Sequence, residues 1–364
     1  MSEVLERQAE ATTRFRIIDS DIHPALRSPR DLDPFLSAHW RKHIAEYGKL
    51  SHRPYAERGT YPRFMPNTAR RDAWPPGGVP PGSDLDFMRT QLLDRYDIEY
   101  GILEPLMGAS EVRNLDLSAA LCSAINDWQV ATLTSQEPRL RASIQVPIED
   151  AAASVREIEK RVSDPAYAQV QMTSRSHEPI GRRRYWPIFE AAERHGLPIG
   201  MHVGGEGGHA PSPGGWPSFY IEDHHGLIHA MQTQAASLIL EGVFEAFPKL
   251  NVILIEGGFA WGPSLGWRLD RHWEKMKGEV PHLTMPPSAY MKRNLFFSTQ
   301  PMEEPENPED LRKILDWIGW ERIVFATDYP HWDFDDPDRA FPCRLSEAER
   351  RMIFRGNAEA IYRL

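Results

Sequence analysis

The chain has 364 residues, of which 41% are hydrophobic, 26% charged and 10% aromatic; a chain of that length and balance buries a substantial core and does not stay disordered. Its formal net charge of −10, with no basic stripe, excludes a nucleic-acid surface, because phosphate neutralisation needs clustered Lys and Arg. Cys122 and Cys343 are its only cysteines, which excludes a disulfide framework; no run reaches the roughly 20 apolar residues of a membrane span, and the charged start "MSEVLERQAEATTRFR" lacks the apolar core of a targeting segment.

The expected setting is therefore the cytoplasm and the expected partner a small molecule, with no nucleic acid and no membrane. Period and punctuation give about eight short apolar runs of β character, most separated by helical patterns. In chain order the runs are 15–21, 100–105, 141–147, 167–173, 197–203, 251–257, 294–300 and 322–328. Helical periodicity falls at 83–97, 114–135, 150–163, 181–195, 222–246, 259–276, 308–319 and 345–363. Ser83 or Asp84 starts one helix, and Ser346 with Glu349 three residues on has capping-box spacing. Strand and helix in alternation, with right-handed crossovers, predict a parallel sheet, and eight such units close into a TIM (β/α)8 barrel of the α/β class.

Such a barrel needs about 250 residues, so the chain is expected to be one domain, 1–364, with an insertion. Most of the excess lies at 24–82, after the first strand, in a stretch thick with Pro, Arg and aromatics that reads as a lid or small subdomain, since so long a structureless loop is uncommon. Arg63, Arg70 and Arg71 in it are candidate contacts for an anionic substrate, and Tyr61, Phe64 and Trp74 suit a flat apolar one.

In a parallel barrel the working residues sit at the C-terminal strand ends. The first strand ends in Asp21 and His23, the fifth in His202, the sixth in Glu256 and the eighth in Asp328. One aspartate at a strand end is more often a turn or cap residue, and one buried histidine is more often a satisfied core residue. Carboxylates and imidazoles from several strands on one rim are different: desolvating them together costs several kcal/mol per charge unless a cation offsets it, which points to a divalent metal. Asp21 and His23 alternate on a strand and so share a face; Asp19, one pleat deeper, is expected to support them. The glycine-rich 204–211 lacks a P-loop's lysine and reads as a flexible rim loop. His225, of the pair His224–His225, and Thr299 at the seventh strand end are candidate substrate contacts; His331 and Asp333 are candidates for support or lid.

These segments, from "IIDSDIHP" through "GMHVGG" and "NVILIEGGFAW" to "IVFATDYPHWD", resemble the amidohydrolase-related family of metal-dependent enzymes, in particular its aminocarboxymuconate semialdehyde and γ-resorcylate decarboxylase group. The resemblance covers nearly the whole chain. It implies one metal ion, Zn2+ or Mn2+, on Asp21, His23, His202 and Asp328, and a homodimer or larger homo-oligomer. Two positions depart from the family pattern: Asp21 stands where members carry His or Glu, and Glu256 stands where many carry a catalytic histidine. The reaction the resemblance implies is non-oxidative decarboxylation of an aromatic or unsaturated, anionic carboxylic acid, with Asp328 as proton donor and Glu256 orienting substrate or relaying the proton. Hydrolysis of an amide, lactone or C–C bond by a metal-bound hydroxide uses the same ligands and stays open, as does a non-catalytic binding barrel.

Overall fold

The computed structural model describes residues 15–51, 62–210 and 212–364. Eight parallel strands follow one another around a single sheet in sequence order: β1 (Ile17–Ile22), β2 (Ile98–Leu103), β3 (Leu140–Gln145), β4 (Tyr167–Thr173), β5 (Ile199–His202), β6 (Val252–Ile255), β7 (Leu295–Ser298) and β8 (Ile323–Val324). The last strand is short, but the chain beyond it closes the barrel. The amides of Ser20 and His23 donate to the carbonyls of Phe325 and Tyr329 at 2.9 and 2.7 Å.

Helices follow the strands as the periodicity predicts. The longest are α1 (Ala38–Tyr47), α2 (Leu115–Gln129), α3 (Ala151–Arg161), α4 (Trp186–His195), α5 (Tyr220–Leu240), α6 (Trp261–Met276), α7 (Pro287–Asn294), α8 (Pro308–Ile318) and α9 (Asn357–Tyr362). Asp84 caps a short helical turn by accepting from the Phe87 amide, and Ser346 with Glu349 forms the expected capping box. α1 and α7 lie where no helical period is predicted; α1 has no fully buried residue, so no strong apolar stripe marks it.

Two buried layers divide the apolar strand residues. Ile18, Ile102, Ala168, Ile253, Phe296 and Val324 meet inside the barrel, floored by Ile361 and Tyr362 of α9. A larger shell packs the outer strand faces against the helices. β1 changes face along its length: Ile18 belongs to the inner layer, whereas Ile17 and Ile22, of opposite parity, both belong to the outer one. The ladder to β2 shifts register between Asp19 and Ile22, and the Asp21 amide donates to the Asp19 carboxylate at 3.2 Å. This bulge re-aims the strand end, as bulges beside functional sites do. No helix among the described residues is long and apolar enough to cross a membrane.

The 24–82 stretch is only partly regular. It holds a 3-10 turn at Pro29–Phe35 and then α1, and it returns along the loop after β8, where Ala69 pairs with His331 and the Arg70 amide donates to Pro330 at 3.0 Å. Of the aromatics expected over the mouth, Tyr61 lies outside the described residues, Phe64 is 71% exposed and Trp74 is half-buried.

Candidate metal centre and active site

Five side chains from three strand ends and the loop after β8 converge at the C-terminal mouth. His23 Nε2 lies 3.1 Å from Asp21 Oδ1 and 2.8 Å from Asp328 Oδ1, and His202 Nε2 lies 3.7 Å from Asp21 Oδ2 and 3.1 Å from Glu256 Oε2. All are buried, yet both Asp21 oxygens and both Nε2 atoms lack an aligned hydrogen bond. Each ring is fixed from behind: Nδ1 of His23 donates to the Glu104 carbonyl and Nδ1 of His202 to the Val203 carbonyl, both at 2.7 Å. A histidine whose Nδ1–H is spent on a carbonyl presents its Nε2 lone pair, the tautomer a metal needs. Asp21, His23, His202 and Glu256 offer ligand atoms all within 4.8 Å of one another, and so do His23, Glu256, Asp328 and His331. Bare carboxylate and imidazole donors held this close suit a divalent transition metal.

The charge balance points the same way. Burial opposes ionisation of Asp21, yet His23 and His202 override it and hold its carboxyl well below the usual range. Burial also works against a proton on His202, but Asp21 and Glu256 push its pKa well up. Asp328 is raised well above an ordinary carboxylic acid by burial and by the nearby carboxylates of Glu256, Asp333 and Asp21. The pocket carries more negative charge than its own side chains neutralise, so a proton or another cation must enter it.

Local backbone makes the convergence possible. Glu256 follows Ile255, which faces the barrel interior, so strict alternation would send Glu256 outward. Instead its φ of 57° turns it back toward His202, and Asp328 has φ 61°. Left-handed backbone at a residue other than glycine costs on the order of 1–3 kcal/mol and concentrates at functional sites. The two carboxylates with proposed chemical roles both have it.

Around this core the structure adds residues that the sequence only hinted at. Asp19 sits behind the bulge, where its oxygens accept from the Thr327 amide at 2.9 Å and hydroxyl at 2.6 Å, tying β1 to the loop after β8; burial lifts its pKa to about 7. His331 stacks on His23 with ring centroids 4.3 Å apart, and its Nδ1 lies 2.6 Å from Asp328 Oδ1. Gln300 Nε2 donates to Asp328 Oδ2 at 3.1 Å. Glu104, which ends β2, is fully buried, and burial raises its carboxyl well above the usual range against the pull of His202. Its strand "YGILEP" shows the same signal as the others, an apolar run delivering one polar group to the rim.

The expected substrate contacts His225, Thr299, Arg63 and Arg70 are not brought to the cluster. His225 points outward and packs against His229 at 5.0 Å, because one residue on a helix is about 100° of rotation. Its neighbour His224 faces the site instead, with Nε2 at 3.3 Å from Asp333 Oδ2, and together with Glu256 these groups lie within 4.8 Å of one another. Thr299 is buried, but its hydroxyl is used by the Ala326 amide at 3.1 Å in the β7–β8 seam. Arg63 is exposed on the insertion, and Arg70 is held by Asp72 and by the Phe334 ring.

The fold is a (β/α)8 barrel whose C-terminal strand ends gather nitrogen and oxygen donors suited to a metal ion. The family model described as Amidohydrolase matches residues 18–364, and the chain belongs to that family. Among curated proteins it is similar to γ-resorcylate decarboxylase of Polaromonas sp. (strain JS666), 27% identical over 302 residues that cover 77% of this chain and 88% of that protein. Among solved structures it resembles 5-carboxyvanillate decarboxylase from Sphingomonas paucimobilis, with a TM-score of 0.70, 21% identity and coverage of 96% of this chain and 100% of that one. It also resembles the dihydroxybenzoic acid decarboxylase of Polaromonas sp. JS666, crystallised with manganese and the inhibitor 2-nitroresorcinol, at a TM-score of 0.66 and 21% identity over 96% of this chain and 98% of that one. At that identity the structural likeness is one of fold.

Proposed function

We propose that this chain is a metal-dependent decarboxylase of an aromatic or unsaturated carboxylic acid, with one Mn2+ or Zn2+ ion held by Asp21, His23, His202 and Asp328. The observation that carries the reading is the set of buried donor atoms left without hydrogen bonds while both histidine rings are locked Nε2-inward. The curated relative's activity on γ-resorcylate supports the substrate class, and the manganese in the Polaromonas structure supports the choice of ion. When bound, the ion supplies Lewis acidity that neutralises the substrate carboxylate and the charge developing in the ring.

The chain's own residues do the rest. As the bond from the ring to the carboxyl carbon breaks, its electron pair stays on the ring carbon and takes a proton from Asp328. Asp328 is suited to this role by its place: it is fully buried at the rim, 2.8 Å from His23 Nε2. Gln300 and His331 fix its two oxygens, so the proton leaves from a defined position. Glu256 links His202 to the His224–Asp333 pair, which leads toward the mouth and returns a proton to the site.

One observation favours a second reading. Glu256 puts a carboxylate, a general base for water, where the family often has histidine, and that suits a hydrolase. Single turnovers in water labelled with heavy oxygen, with a panel of hydroxybenzoates and their amides and lactones and with Mn2+ or Zn2+, separate the two. Decarboxylation predicts CO2 release and no label in the organic product; label incorporation without CO2 assigns the site to hydrolysis.

A further inference from the structure

A much larger space borders the cluster at His23 and His331. His23 and His331 form the inner end of a cavity of about 1140 Å3 that runs outward between α1 of the insertion and the loop and helix α2 that follow β2. Cavities of roughly 300–1,000 Å3 enclose drug-sized ligands, so a single hydroxylated benzoate ring at the metal donors fills only its inner end. The lining is largely apolar: Leu36, Leu121 and Ile125 form its buried backing, and Ile44, Leu106 and Met107 keep accessible apolar surface in front of them. No residue of α1 is fully buried, and Ile44 packs only partly against the core.

The outer lining changes character. Arg27, Arg30, Arg41, Lys42 and Lys49 line it with Asp33; Arg27 is paired with Asp84 at 3.2 Å and Lys42 with Glu46 at 3.8 Å just behind the lining, which leaves Arg30, Arg41 and Lys49 to set its charge. In a chain of net charge −10, such a concentration of cations at the mouth of one cavity selects for negative charge in what enters it. Arg41 is held in place by the Asp33 and Leu36 carbonyls at 3.0 and 2.7 Å, which keeps its charge at the rim.

We propose that the substrate is an aromatic acid bearing an extended apolar arm that ends in an anionic group. The acid end lies among Asp21, His23, His202 and Asp328, the arm runs between Ile44 and Leu106, and its far end meets the basic rim. The aromatic acid rests on the decarboxylase reading above; the arm and its charged end rest on the cavity alone.

Calorimetric binding of product-like phenols to the full chain supplied with Mn2+ tests this without turnover. The probes are 3-methylphenol, 3-nonylphenol and the nonyl compound with a terminal carboxylate. Lengthening methyl to nonyl tightens binding at least about a hundredfold, since each buried methylene adds hydrophobic gain. The terminal carboxylate adds about tenfold at low salt and loses it near 0.5 M salt. Leu106→Trp, at a position 45% exposed, and Ile44→Trp on the lightly packed α1 each fill the cavity from a side that leaves the core intact, and each removes the chain-length gain. Equal affinity for methyl and nonyl, or a gain that survives both tryptophans, overturns the arm; a carboxylate gain indifferent to salt overturns the basic rim as its receptor. If chain-length dependence persists while none of the matching acids releases CO2, the cavity assignment stands and the decarboxylase reading falls. If the methyl acid is decarboxylated with no chain-length effect, the reverse holds.

Discussion

Two polar layers lie buried in the same barrel and behave oppositely. On the β2–β4 wall, Glu104 accepts from Ser143 Oγ at 3.2 Å and from Gln169, Gln145 donates to Gln171, and Gln129 bonds the β3 backbone. Each of these residues makes at least one hydrogen bond within the wall, with Glu104 Oε2 and Gln169 Oε1 left over, and Glu104, favoured neutral by burial, behaves as one more neutral group in the network. On the rim formed by β1, β5, β6 and the loop after β8, donors crowd together with their lone pairs facing one another. A satisfied network rigidifies, whereas buried atoms left unmatched cost 1–3 kcal/mol each unless a ligand meets them. The contrast is one of degree: the wall spends most of its polar atoms on one another, whereas the rim leaves both Asp21 oxygens and the Nε2 atoms of His23 and His202 unmatched within one cluster.

Substitutions on each side sharpen that contrast. The largest effect is expected at the rim: Asp328→Asn keeps a ligand oxygen but removes the transferable proton, so kcat falls about 10²–10⁴-fold in a CO2 assay while metal content, measured alongside, stays near the wild-type level. His224→Gln interrupts the pair with Asp333 and lowers kcat about 10–100-fold in the same assay, whereas His225→Gln changes it less than about twofold. On the wall, Glu104→Gln preserves a neutral side chain of the same shape; activity changes less than about threefold, and the melting temperature moves by only a few degrees. A strong loss of metal from this variant would place Glu104 in the rim layer.

A smaller, pH-dependent effect comes from Asp335, which accepts from the Met302 amide at 3.2 Å and whose pKa burial raises to about 7 from an ordinary 3.8. The folded state therefore binds this proton more tightly than the unfolded one. Asp335 leaves stability untouched below about pH 4, destabilises progressively as pH rises toward 7, and exerts its full cost above that. Asp335→Asn is expected to raise the melting temperature at pH 8 relative to wild type by more than it does at pH 5, as followed by circular dichroism.

The barrel was legible because each apolar run is short, ends at punctuation and alternates with a helical period; every one of the eight observed strands overlaps a predicted run. The rim residues were legible for a related reason, since Asp21, His202 and Asp328 each break an apolar run at its C-terminal end. What the sequence concealed depends on local backbone. Asp19, Asp21 and His23 share parity, so nothing in their spacing reveals the bulge that sends Asp19 to Thr327 and the other two inward. Choosing between His224 and His225 depends on the phase of α5, whose residues here are polar on both sides. Arg63 and Thr299 were chosen by chemical type, and type does not report that one is exposed and the other consumed by a backbone amide.

The central claim is that the unmatched rim donors hold a metal ion. Elemental analysis of protein purified without chelator, run side by side on the wild type and His202→Ala, tests it most directly. The account predicts about one manganese or zinc ion per wild-type chain and at least tenfold less in the variant, whose Nε2 lone pair is gone. Equal metal in the two proteins, or none in the wild type even after Mn2+ or Zn2+ is supplied, would contradict it.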